Sequence, residues 1–107
     1  MVKEIKSLEE FVSLLNSYPN NLIVFDFYAN WCGPCVRIAP ELEKLQNDYP
    51  NVLFVKVNVD YAGNDDICQK LQVSSMPTFY FFKYGKPVDK VIGAVLSAIV
   101  EKVEAHK

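Results

Sequence analysis

Histidine occurs once in the 107 residues, cysteine three times and glycine four times, and each scarcity removes a class of explanation. Three cysteines are too few for a disulfide-built secreted scaffold, and their odd number leaves one over. Beyond the closest cysteine pair only Cys68 and His106 remain as soft ligands. No second Cys-x-x-Cys or Cys-x-x-His unit exists to complete a zinc site, so no metal is expected. Lys and Arg are scattered rather than clustered and the formal net charge is -2, which argues against nucleic acid. No segment has the length or apolarity of a membrane span, and the acidic, interrupted N-terminus has no apolar run of signal-peptide length. The expectation is a cytoplasmic protein that meets no membrane. Repeats, linkers and low-complexity tracts are also missing, so residues 1–107 read as one domain. Half of the residues are hydrophobic, with seven Phe and six Tyr, ample material for a core that needs no staples.

Along the chain, residues 2–5 suggest a short strand, and Ser7 with Glu10 forms a capping-box pattern for a helix carrying Leu8, Phe11, Val12 and Leu15. Residues 22–28 are apolar on both alternating faces, the pattern of a central strand covered on each side, with Asp26 as the one interruption. Residues 33–48 have helical spacing with Pro40 inside, and residues 52–59 form the next strand. The alternation of strand and helix requires parallel crossovers. A short helix follows the acidic run Asn64-Asp65-Asp66. Residues 78–82 and 88–92 around Tyr84-Gly85-Lys86 then read as an antiparallel hairpin with Pro87 at an edge, and a final helix presents Leu96, Ile99, Val100 and Val103.

The chemistry concentrates at Tyr28-Ala29-Asn30-Trp31-Cys32-Gly33-Pro34-Cys35. With a helix starting near Gly33, Cys32 sits at its N-terminal end, where unpaired N-H groups and the helix dipole favour a thiolate. Cys35 lies one turn further in, and Pro34 fits the first turn without losing a hydrogen bond. The two thiols can close a small disulfide ring or open to a dithiol. Asp26, in an apolar strand, is a candidate proton acceptor whose pKa burial should raise, and Lys56 on the neighbouring strand would moderate that rise. A plain buried Asp26–Lys56 ion pair is the competing reading. Cys68 shares a helical face with Ile67 and Leu71 and reads as an inert, half-buried thiol, and His106 as a solvated tail residue.

Trp31-Cys32-Gly33-Pro34-Cys35, with Asp26 before it, Met76-Pro77-Thr78 after it and Gly93 near the end, resembles the thioredoxin family over essentially the whole chain. The resemblance implies an α/β fold, a central mixed five-stranded sheet of order 1-3-2-4-5 flanked by four helices. It implies a protein-disulfide reductase in which Cys32 attacks as thiolate and Cys35 resolves the mixed disulfide, with Asp26 and Lys56 controlling the proton. Trp31, Gly33, Pro34, Met76, Pro77, Gly93 and Ala94 would form the substrate surface, with Met76-Pro77 as a cis-proline loop. No cofactor would be bound; reducing equivalents would come from NADPH through a thioredoxin reductase. Peroxiredoxins or ribonucleotide reductase would be substrates, and the protein a monomer. Val36 departs from the lysine common at that position, which bears on partner preference. The alternatives are a disulfide isomerase or oxidase domain, against which Gly33-Pro34 speaks, and a non-catalytic docking subunit, against which the two retained thiols speak.

Thiolate formation alone explains little of such a reaction. Lowering a thiol pKa from ~8.5 to about 7 raises the ionised fraction ~15-fold at pH 7. The accompanying loss of nucleophilicity, at a Brønsted slope of ~0.45, takes back about fivefold. Docking, alignment and a nearby resolving thiol must supply most of the rate.

Overall fold

The strands carry two sets of apolar residues on opposite faces, and each set finds its own pair of helices. The computed structural model describes residues 2–107. In chain order it contains β1 (Lys3–Ile5), α1 (Leu8–Ser17), β2 (Ile23–Tyr28), α2 (Gly33–Asp48), β3 (Leu53–Asn58), a 3-10 turn (Ala62–Asn64), α3 (Asp65–Lys70), β4 (Thr78–Lys83), β5 (Lys86–Ile92) and α4 (Leu96–His106). The sheet has the order β1-β3-β2-β4-β5. β3 runs parallel to both β1 and β2, while β4 is antiparallel to β2 and β5. The mixed five-stranded sheet with four helices is the one implied by the resemblance.

Ile23, Phe25 and Phe27 of β2, Val55 and Val57 of β3 and Phe82 of β4 pack with Phe11 and Leu14 of α1 and Ile67 of α3. On the other face Val24, Phe54, Phe79 and Phe81 pack with Ile38, Leu42 and Leu45 of α2 and Ile99 and Val103 of α4. β2 is therefore covered on both sides, which is why its sequence is apolar at consecutive positions. Asp26 belongs to the second face by the period-two rule, two residues beyond Val24. The Phe11, Phe25 and Phe82 rings meet at centroid distances of 4.6 to 5.5 Å.

Local signals fix the ends of the elements. The Ser7 hydroxyl accepts the first-turn Glu10 N–H at 3.1 Å, and Glu10 Oε2 reaches back to accept the N–H of Lys6, the residue before the cap, at 3.1 Å. The hairpin turn is tighter than the sequence suggests: β4 and β5 extend to Lys83 and Lys86, leaving Tyr84 and Gly85 at φ of 56° and 75°. Both are left-handed, as a two-residue hairpin turn requires. The expected edge Pro87 lies in the outermost strand, where it forfeits no interior hydrogen bond. His106 departs from the expectation of a solvated tail residue. It ends α4 half-buried, with Nε2 3.0 Å from Asp89 Oδ2, because the last helical turn lies against β5.

Candidate active site

β2 ends at Tyr28 and the chain turns through Ala29, whose carbonyl accepts the Cys32 N–H at 3.2 Å, directly into α2. Cys32 is the N-cap of α2, extended at φ -86° and ψ 108°, and its Sγ accepts the Cys35 N–H at 3.2 Å. A sulfur thus occupies the place a serine or aspartate oxygen takes at other helix starts. Cys32 and Cys35 are joined as a disulfide, with Cα atoms 5.2 Å apart. Pro34 sits in the first turn, where no N–H is needed.

Both sulfur-bearing residues are buried, Cys32 at 5% exposure and Cys35 at 4%, so accessibility barely separates them. Position does. Cys32 is the N-cap, with extended dihedrals although its carbonyl accepts the first helical bond from the Val36 N–H at 3.1 Å, and its Sγ lies 3.6 Å from the Met76 carbonyl oxygen, whereas Cys35 is inside the helix. Ala29 is buried with the pair, and Tyr28, Val59 and Met76 pack against it.

The Met76–Pro77 peptide is cis, as the family resemblance implies. Thr78 Oγ1 donates to the Ser75 carbonyl at 2.6 Å, and the Pro77 carbonyl accepts the Gly93 N–H at 2.8 Å. The loop is therefore tied to the end of β5, which brings Gly93 and Ala94 beside it. Gly93 has φ +100°, and a Cβ there would meet only Val95 at 3.8 Å, so backbone conformation rather than space demands glycine. Gly33 differs: an added Cβ would come within 3.0 Å of the flexible Arg37 guanidinium, which can move aside.

Trp31 stands 69% exposed at the rim, its indole Nε1–H donating to Asp60 Oδ2 at 2.8 Å. Asp60 is itself held by its own N–H, which donates to Asn58 Oδ1 at 2.9 Å. Ile92, across from Thr78 in the β-ladder and 59% exposed, adds apolar surface near Gly93. Sequence reasoning expected Trp31 in the substrate surface; Trp31 forms an exposed edge, and the side chains packed against the buried cluster of Ala29, Cys32 and Cys35 are Tyr28, Val59 and Met76. It missed Asp60, Tyr28, Val59 and Ile92. An indole that must satisfy its N–H and an acidic residue just after β3 were the signals for Asp60.

Asp26 is 5% exposed and its Oδ1 has no hydrogen-bond partner. Its side chain is on the α2 face, opposite Lys56 of β3 and Phe79 of β4. Burial pushes its pKa from 3.8 up to about 7, partly offset by the positive charge of Lys56. Asp26 and Lys56 share a cleft of about 310 Å³ with Val36, Ala39 and Glu43 of α2. Among the described residues no ion pair joins the two. Lys56 is half-exposed, its ammonium 4.6 Å from the centre of the Tyr28 ring. The expected alternative of a buried ion pair is thus replaced by a lone buried carboxyl and a cation on a ring.

Cys68 is a free, half-buried thiol in α3, packed against the core cluster that includes Ile67. Burial first, then the charge of Asp65, raise its pKa and keep it in the unreactive thiol form. Among the described residues no cluster of three or more His, Cys, Asp or Glu side chains is arranged to hold a metal ion, and no helix is long and apolar enough to cross a membrane.

A redox disulfide at a helix start, faced by a cis-proline loop on a β1-β3-β2-β4-β5 sheet, defines a thiol-disulfide oxidoreductase. The thioredoxin family model matches residues 2–105. The chain is 46% identical over 106 residues to thioredoxin-1 of Saccharomyces cerevisiae, covering 99% of each chain. It is 47% identical to part of the Caenorhabditis elegans peptide-N(4)-(N-acetyl-beta-glucosaminyl)asparagine amidase, of whose length it spans 17%. Among solved structures, Fasciola hepatica thioredoxin superposes with a TM-score of 0.95 at 40% identity, covering 99% of this chain and 100% of that one. A chain from a structure of the thiol-resolving mechanism of yeast mitochondrial 1-Cys peroxiredoxin via the glutathione/thioredoxin systems superposes at 0.88, with 38% identity and coverage of 97% and 94%. The chain belongs to the thioredoxin family, and its Cys32–Cys35 pair works by dithiol-disulfide exchange.

Proposed function

We propose that Cys32 is the attacking thiolate, Cys35 the resolving thiol and Asp26 the group that takes the Cys35 proton. The observation that carries this reading is the N-cap geometry, in which Cys32 Sγ receives the Cys35 N–H at 3.2 Å at the open end of the helix. The same N–H favours a negative charge on that sulfur once the pair is reduced. Cys32 Sγ attacks one sulfur of a substrate disulfide; a new S–S bond forms, the substrate bond breaks, and the other substrate sulfur leaves as thiolate and is protonated. Cys35 then gives its proton to the Asp26 carboxylate and attacks Cys32 Sγ, expelling the second substrate thiolate and restoring the Cys32–Cys35 disulfide. With a pKa near 7, Asp26 can accept and release that proton at neutral pH, and the positive charge of Lys56 keeps its affinity for the proton from climbing further.

Trp31, Gly33, Pro34, Met76, Pro77, Gly93 and Ala94 form the substrate rim in this reading. The free edge of the Met76 segment, beside the sulfur pair, suits an extended substrate chain. Electrons reach the disulfide from NADPH through a thioredoxin reductase, and disulfide-bearing proteins such as peroxiredoxins or ribonucleotide reductase receive them. The structural likeness to the chain solved with a peroxiredoxin resolving mechanism supports the first of these. The protein acts as a monomeric single domain over residues 1–107, in the cytoplasm. Insulin disulfide reduction by dithiothreitol tests the activity: the protein should accelerate precipitation of the insulin B chain catalytically, and an unaltered rate would overturn the assignment. Oxidation of NADPH in the presence of insulin and a thioredoxin reductase tests the electron source, and its absence would remove that step alone.

A further inference from the structure

Lys56 has three candidate neighbours on one face of the sheet: Glu4 beside it on β1, Asp26 beside it on β2, and Tyr28 two residues beyond Asp26. Its ammonium lies 4.6 Å from the centre of the Tyr28 ring, and no ion pair to either carboxylate forms among the described residues. The same tyrosine holds Glu4, its hydroxyl donating to Glu4 Oε2 at 2.6 Å. Burial and that bond raise the Tyr28 pKa, so the hydroxyl remains a donor. Tyr28 also packs against the buried cluster of Ala29, Cys32 and Cys35. One side chain therefore borders the buried redox cluster, occupies the cation and restrains one competing anion.

We propose that Tyr28 is a positioning residue whose ring holds the Lys56 ammonium out of contact with Asp26. The inference rests on Asp26 serving as proton acceptor for Cys35. A contact ion pair would strip water from Lys56 against a carboxyl that is 5% exposed, whereas the ring takes one side of the ammonium and leaves the other in the cleft. An ammonium in contact would hold Asp26 as a carboxylate, slow to keep a proton; an ammonium far away would leave it a neutral acid, slow to accept one. The intermediate placement is what a proton acceptor working near neutrality requires. The other groups near Asp26 are Glu43 of α2 in the same cleft, the Tyr28 hydroxyl two residues on and the non-ionising Phe79 of β4, while Glu4 of β1 lies on the far side of Lys56 in the ladder.

The test follows the Asp26 carboxyl carbon by 13C NMR through a pH titration of the oxidised protein. It is done in a Glu4→Gln background, so that a released Glu4 cannot capture Lys56. Adding Tyr28→Leu should lower the Asp26 midpoint by about one pH unit as Lys56 closes on it, while adding Tyr28→Phe, which keeps the ring, should leave the midpoint in place. An unchanged or raised midpoint in the leucine variant, or equal shifts in both, would overturn the proposal. Should the leucine variant fail to fold, the wild-type protein still decides: the Lys56 Cε protons should resonate upfield of those of the ion-paired Lys44, and coincidence of the two would overturn it. If the midpoint moves and the pH profile of mixed-disulfide resolution does not move with it, the positioning stands and the proton-acceptor role of Asp26 falls.

Discussion

Replacing Asp26 by Asn should stabilise the protein, and should do so increasingly as pH rises. The carboxyl is 5% exposed, and its pKa is raised from 3.8 to about 7 with burial as the principal cause. Below pH 3.8 it is protonated in both folded and unfolded chains and costs nothing. Between that value and about 7 the unfolded chain releases the proton while the folded one keeps it, so stability falls as pH rises; above 7 the loss is complete and constant. At about 1.4 kcal/mol per pH unit the full cost is about 4 kcal/mol. Asparagine has no such dependence, though its amide must be buried in place of an oxygen that has no partner, a fixed cost of about 1–3 kcal/mol. The fixed cost cancels when two pH values are compared. Urea unfolding of the oxidised wild type and Asp26→Asn at pH 5 and pH 8 should show the advantage of the variant growing by about 2–3 kcal/mol between them. Parallel stability curves for the two proteins would refute both the raised pKa and the burial argument behind it.

Two further consequences concern the core and the rim. Phe25→Ala removes a ring that is fully buried and in contact with Phe11 and Phe82, and should cost about 3–5 kcal/mol in chemical denaturation; a loss under about 1 kcal/mol would mean that the α1 face is loosely packed. Asp60→Ala frees the Trp31 indole from its 2.8 Å bond. Because both groups are exposed, the expected effect is a rise in KM for insulin of about two- to fivefold with kcat unchanged, and a matching fall in kcat would place Trp31 in the chemical step instead.

The elements were legible because each has a strong local signal: the doubly apolar β2, the Ser7–Glu10 cap and the glycine at the hairpin turn, although the turn itself is shorter than that signal suggested. The sheet order rests on the alternation of strands with helices followed by a hairpin, which admits few topologies. Cys32 and Asp26 could be placed from the sequence for the same reason, one at a helix start and the other in a buried strand. The misses are tertiary. The Tyr28–Glu4 bond joins residues 24 positions apart and Trp31–Asp60 joins residues 29 apart, so no spacing rule reveals either. Lys56 reads as an ion-pair partner of Asp26 until a ring is seen to compete for it. The near-equal burial of Cys32 and Cys35 likewise depends on Tyr28, Val59 and Met76 converging from three separate segments. His106 was legible only as a terminal residue until Asp89 of β5 came beside it.

The division of labour between the two cysteines is tested most directly by trapping. Cys35→Ser and Cys32→Ser proteins, each incubated with a disulfide-bonded peptide and analysed by intact mass and peptide mapping, should behave oppositely. The account predicts rapid accumulation of a mixed disulfide on Cys32 in the Cys35→Ser protein and little adduct on Cys35 in the Cys32→Ser protein. Equal or faster adduct formation on Cys35 would contradict the assignment of Cys32 as the attacking sulfur.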